Sequence, residues 1–119
     1  MNKKLNDVLL KLDQDLIKYV KGSLDLKISG VTYSSKLVLP GFVFFALPGI
    51  RFDGHDFIEM AIQKGSNVIV HSRDMDFYSP NVTYIKVDDF SIRKFMSNFS
   101  NVFYDEPYKK IKSYWSHWH

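Results

Sequence analysis

Apolar residues recur along this chain at two different spacings, and the changes between them mark its elements. Leu5, Val8, Leu9, Leu12 and Leu16 fall on one face of a 3.6-residue repeat, so an amphipathic helix is expected near the start, ending before Gly22. From Leu26 the period shortens to two: Leu26 and Ile28 alternate with Lys27 and Ser29. The phase slips at Gly30, which predicts a bulged strand reaching Val31 and Tyr33. Pro40-Gly41 signals a turn. The run Val43 to Leu47 is apolar without alternation, the mark of a central strand covered on both faces.

A loop from Pro48-Gly49 to Asp56 leads into a second helix, with Phe57, Ala61 and Ile62 inward, Asp53 or Asp56 as N-cap and Gly65 at its end. NVIVH (67–71) reads as the next buried strand, so 43–71 is a strand, helix, strand unit with an expected right-handed crossover. VTYIKV (82–87) alternates as a further strand. Ile92, Phe95, Met96, Phe99, Val102 and Phe103 line a last helix, preceded by Asp88-Asp89. The expected architecture is α/β: a three-layer sandwich with a mixed, mostly parallel sheet of four to five strands and flanking helices.

Composition narrows the function classes. The chain of 119 residues is 45% hydrophobic, enough for one core. Sixteen Lys and Arg against thirteen Asp and Glu leave +3, and the lysines are scattered apart from Lys3-Lys4 and Lys109, Lys110 and Lys112, which argues against a nucleic-acid partner. The absence of cysteine excludes disulfides, thiol catalysis and Cys-bound zinc. Charges interrupt the apolar residues of the N-terminal stretch every few positions, and no apolar run approaches the roughly 18 residues of a membrane span. Neither a secretory leader nor a span is therefore expected, and the reading is a cytoplasmic monomer.

Candidate chemistry is sparse. Asp53, His55 and Asp56 lie close together, but helix capping explains them better than a metal site. His71 reads as a packing or edge residue, and His117 and His119 have H-x-H spacing in the closing SYWSHWH. No phosphate loop or nucleophile elbow occurs. Two loops remain that could hold a nucleotide at strand C-termini. The first carries Tyr33, Ser34, Ser35 and Lys36; the second runs from Gly49 to His55, with Arg51 as a cation and Gly54 at the helix start. On spacing alone, ordinary turn glycines and a polar loop are the better reading.

The text ISGVTYSSKLVLPGFVFFALPGIRFDGHDFIEMAIQKGSNVIV (28–70) resembles the N-terminal domain of the Mur ligases of bacterial cell-wall synthesis, in the branch that adds the third residue of the peptide. Its usual pattern there is D-S-R, P-G-D, F-x-A, then D-G-H. NVTYIKVDD and FYDEPYKKIK extend the resemblance to about residues 5–112. It implies a substrate-binding domain over 1–112 with an atypical tail at 113–119, lacking the central ATPase and C-terminal domains. Such a domain binds the uridine diphosphate end of UDP-MurNAc-L-Ala-D-Glu and has no catalytic residues, metal or cofactor of its own. ATP and Mg2+ act in the full-length ligase, which joins a diamino acid to the substrate.

Carried over by position, the family's contacts fall on Tyr33, Ser35, Ile50, Arg51 and Phe52, with Ser34, Lys36, Gly49, Asp53, Gly54 and His55 in support. Ser35 would bond the diphosphate or ribose, Tyr33 and Phe52 would contact the base, Arg51 would neutralise charge, and the 50–52 backbone would read the uracil edge. The family's D-S-R is Ser34-Ser35-Lys36 here and its P-G-D is Pro40-Gly41-Phe42, so any ion pair made by those acids is lost. The rival readings are the related ligase that adds D-alanyl-D-alanine, a non-catalytic interaction module, and an RNA-binding domain.

Overall fold

A computed structural model describes residues 2–105. Lys109, Lys110, Lys112, His117, His119 and the expected 113–119 tail lie outside the described residues. Among the described residues seven strands and three α-helices occur in the order β1 (Lys3–Lys4), α1 (Leu5–Leu9), β2 (Ile17–Lys21), β3 (Lys27–Ile28), β4 (Gly30–Thr32), β5 (Phe42–Phe45), α2 (Ile58–Gln63), β6 (Val68–His71), β7 (Thr83–Val87) and α3 (Ile92–Tyr104). β1 and β3 form a small antiparallel pair. The main sheet has the order β2-β7-β6-β5-β4, in which β4 to β7 are mutually parallel and β2 is antiparallel to β7.

Alternate side chains of each buried strand serve opposite faces, and this builds the three layers. Val43 and Phe45, Val68 and Val70, and Ile85 and Val87 pack with Leu5, Val8 and Leu9 of α1 and with Ile92, Phe95, Met96, Phe99 and Phe103 of α3. Phe44, Ala46, Ile69 and Tyr84 face the other way, onto Ile58 and Ala61 of α2 and Val38. The α/β sandwich expected from the sequence is therefore present, with five strands in its sheet. β5 is internal as expected, but the middle of the sheet is β6.

The first helix differs from the expectation. It stops at Leu9, and a single 3-10 turn, Gln14–Leu16, leads directly into β2. Asp13 caps that turn by accepting from the Asp15 N–H at 3.0 Å, and the Gln14 side chain donates to the carbonyls of Leu9 and Leu12. Leu12 and Leu16, read as helical, still pack against the core. Ile17–Lys21 extends because pairing with β7 supplies its backbone with partners on a sheet edge. The single bulged strand expected through Gly30 is absent: Ile28 and Gly30 sit in separate strands, β3 and β4, that pair with different neighbours, and β4 ends at Thr32, short of Tyr33. A Cβ at Gly30 would lie 2.4 Å from the outer edge of the Phe42 ring, so a larger residue there would make that half-buried ring swing away.

Candidate functional site

Because β4, β5, β6 and β7 run parallel, their C-terminal ends open onto one margin of the sheet. The two loops singled out by sequence leave from neighbouring strands there. Thr32 ends β4, and its hydroxyl accepts from the Ser34 N–H at 3.1 Å. Ser35–Leu37 then makes a 3-10 turn closed by Leu37 N–H on the Ser34 carbonyl. This local bonding orders the loop without the family's acid.

The individual residues are presented differently. Tyr33 is half-buried, packed against the α1/α3 face of the core, and burial raises the pKa of its phenol. Ser35 is buried at 8% exposure, and its hydroxyl makes no hydrogen bond among the described residues. Ser34 is half-buried and Lys36 exposed. On the second loop Gly49, Ile50, Arg51 and Phe52 are all exposed, Ile50 and Phe52 as large apolar side chains in solvent. Lys36 and Arg51 form no ion pair among the described residues.

The second loop is pinned at both ends. At its start, Arg93 of α3 donates from Nη2 to the Pro48 carbonyl at 2.9 Å. At its end, Gly54 N–H donates to the Leu47 carbonyl at 2.8 Å, folding the loop back on its own strand. Asp53 accepts from the His55 N–H at 3.0 Å and so caps the short 3-10 segment Gly54–Phe57 ahead of α2. The capping role expected of Asp53 is the observed one. Among the described residues no three His, Asp or Glu side chains group as metal ligands.

Asp53 and His55 also belong to a larger set of contacts that the sequence reading did not assemble. The Ser72 N–H donates to His55 Nε2 at 3.0 Å, which fixes that nitrogen as the unprotonated one. His55 Nδ1 therefore carries the proton and donates to Asp53 Oδ1 at 2.6 Å. Arg73 pairs with Asp53 Oδ2 and lies 3.7 Å from Asp89, which accepts from the Ser72 hydroxyl. Ser72 and Arg73 were legible only as residues just past the end of β6, and Asp89 only as part of the acidic pair ahead of the last helix. Burial lowers the pKa of His55, opposed by the Asp89 and Asp56 carboxylates.

His71, at the end of β6, is fully buried rather than at an edge. Its Nδ1 bonds the Arg73 carbonyl at 2.7 Å, and its ring meets Tyr19, Tyr84 and His55 edge-on and Tyr78 at a tilt. Burial is the main cause that lowers its pKa. Both histidines thus have folded pKa values below the 6.5 of the unfolded chain. The unfolded chain binds more protons in the interval between, so stability is complete above pH 6.5 and falls as the pH drops through the folded values. The urea midpoint should be lower at about pH 5.5 than at about pH 7.5. A midpoint unchanged or higher in acid would contradict that sign.

Comparison with known proteins decides the family. The family model described as "Mur ligase family, catalytic domain" matches residues 27–104. This chain belongs to the Mur ligase family. Within it, the chain is 96% identical to the UDP-N-acetylmuramyl-tripeptide synthetase of Borreliella afzelii over 112 residues, which are 94% of this chain and 22% of that protein. It is 36% identical to UDP-N-acetylmuramoyl-L-alanyl-D-glutamate–2,6-diaminopimelate ligase 2 of Clostridium acetobutylicum over 91% of the chain and 21% of that ligase. This Mur ligase chain spans about a fifth of the length of these relatives. A solved structure, the UDP-N-acetylmuramoylalanyl-D-glutamyl-2,6-diaminopimelate–D-alanyl-D-alanyl ligase of Acinetobacter baumannii, shares the fold at TM-score 0.61. It is 20% identical and aligned over 82% of this chain and 20% of that one. No described helix is long and apolar enough to cross a membrane.

Proposed function

We propose that residues 1–112 of this Mur ligase chain hold the uridine diphosphate end of UDP-MurNAc-L-Ala-D-Glu for a ligase that adds the third residue, a diamino acid, to the peptide. The observation that carries the reading is the pair of loops leaving adjacent parallel strands at one margin. One offers the Ser35 hydroxyl, which makes no hydrogen bond among the described residues, beside Lys36, and the other three exposed residues, Ile50-Arg51-Phe52. Strand ends of this kind are where open α/β sheets bind nucleotides. The printed name of the relative at 96% identity, a UDP-N-acetylmuramyl-tripeptide synthetase, supports the same substrate.

In this reading the diphosphate lies between Lys36 and Arg51, neither of which forms an ion pair among the described residues. Ser35 donates to the diphosphate or ribose, and Phe52 and Tyr33 bound the base. The 50–52 backbone reads the uracil edge. ATP and Mg2+ serve the ligation in the remainder of the full-length protein, and the part described here contributes grip and placement.

A titration of the isotope-labelled chain with a uridine diphosphate sugar tests this directly: the amides of 33–36 and 50–55 should shift. Ser35→Ala should weaken binding about tenfold, the effect of losing one hydrogen bond to a charged group. Calorimetry showing equal affinity for both proteins removes Ser35 from the site. Strongly salt-dependent binding of an oligonucleotide in place of the sugar nucleotide would replace the reading with an RNA-binding one.

A further inference from the structure

Asp53, His55, Ser72, Asp89 and Arg73 form a closed circuit. Asp53 meets His55, His55 takes the Ser72 N–H, Ser72 donates to Asp89, Asp89 faces Arg73, and Arg73 returns to Asp53. The circuit joins the connectors that follow β5, β6 and β7, which share no other link in sequence. It clamps the second loop at Asp53 while Arg93 clamps it at Pro48. Only 49–52 project free between the two clamps, with Ile50 and Phe52 in solvent.

We infer that His55 is a positioning residue for nucleotide binding: it holds the circuit closed and so fixes the 50–52 backbone that the nucleotide meets, without touching the nucleotide itself. The inference rests on the function proposed above. The chemistry of the ring explains why a histidine suits the place. It must donate to a carboxylate on one side and accept from a main-chain N–H on the other, and neutral imidazole does both along one rigid plane. Protonation puts a second N–H on Nε2, opposite the Ser72 N–H, and the link to the β6 connector is broken. The groups facing the ring are Asp53 and Asp56 on its own segment, Arg73 and His71 from the β6 side and Asp89 from the β7 side. Glu59 of α2 lines the same cleft. Burial outweighs the carboxylates and keeps the ring neutral near pH 7.

The experiment uses the whole chain with UDP-N-acetylglucosamine, whose diphosphate is esterified at both ends and does not titrate near neutrality. His55→Ala should lower affinity about tenfold, by releasing the loop from its bound shape. His55→Gln, whose carboxamide oxygen can still take the Ser72 N–H, should recover part of the loss. Wild-type affinity should fall as the pH drops below about 6.5 and through the lowered pKa of His55, while that of His55→Gln stays flat. That difference separates positioning from mere support of the fold and decides the matter if His55→Ala does not fold. Affinity of His55→Ala within about twofold of wild type, or pH profiles that coincide, would overturn the inference. Failure of the wild type to bind the sugar nucleotide would instead sink the functional reading. In that case the free-state amides of 50–52 still report on the clamp: shifted in His55→Gln they uphold it, and unshifted they refute it.

Discussion

Phe99→Ala should cost about 3–5 kcal/mol of folding free energy, the range for emptying a fully buried aromatic site. Phe99 is at 0% exposure in the middle of α3, edge-on to Phe45 at 5.5 Å and near Phe95 at 6.2 Å, so three rings from one helix and one strand share the hole. Neither Phe45 nor Phe95 can fill it without leaving its own place, since both are themselves at 0% exposure. Against a typical total of about 5–15 kcal/mol, this loss removes a large fraction of the stability. Urea unfolding followed by circular dichroism at neutral pH measures it, and Phe99→Leu should recover most of the loss. A cost under about 1 kcal/mol would show that α3 does not close the core as described. The effect reaches the candidate site too, because Arg93, which holds Pro48, stands on the first turn of the same helix.

Gly54→Ala should cost the fold less than Phe99→Ala and act more specifically on the second loop. A Cβ there would lie 2.5 Å from the Leu47 nitrogen and 2.9 Å from the carbonyl carbon and Cα of Ala46. These are backbone atoms of the strand end, so no rotamer change relieves the clash and the loop must swing off β5. The Gly54 N–H bond to the Leu47 carbonyl is then lost, and Asp53 and His55 move with it. Overpacking of this kind costs about 1–3 kcal/mol. Sugar-nucleotide affinity should fall about tenfold or more besides, since the loop no longer presents 50–52 in one shape. Thermal melting and calorimetry on one preparation separate the two losses. Wild-type affinity in a stably folded Gly54→Ala protein would mean that the close return of the loop is irrelevant to binding.

Much of the fold was legible because its buried strands are too apolar to be anything else. Val43 to Phe45 and Val68 to Val70 are covered on both faces, and continuous apolar runs of that length announce it. The last helix was equally plain, with Ile92, Phe95, Met96, Phe99 and Phe103 all buried at its spacing. β2 was hidden for the opposite reason. Its residues are half-exposed, Lys18 and Lys21 face solvent, and the leucines before it continue a helical spacing that the backbone does not follow. What decides its conformation is the pairing with β7, a contact with no local signature.

The candidate site divides in the same way. Tyr33 to Lys36 and Gly49 to His55 could be found because each set follows a recognisable strand. The circuit around His55 could not, because Ser72, Arg73 and Asp89 are ordinary polar residues until the parallel order of β5, β6 and β7 sets their connectors side by side. The usable signal was positional: each lies within two residues of the end of a strand.

The antiparallel strand at the sheet edge also governs when the fold can be completed during synthesis. Among the described residues Ile17–Lys21 has a single partner in the sheet, and that partner, Thr83–Val87, is the last of the described strands to be made. Translation delivers the N-terminal end first, so this strand leaves the ribosome with its hydrogen-bonding groups unmatched. β4, β5 and β6 can meet earlier in the nascent chain. The native sheet closes only once β7 has emerged and drawn the early strand onto its outer side.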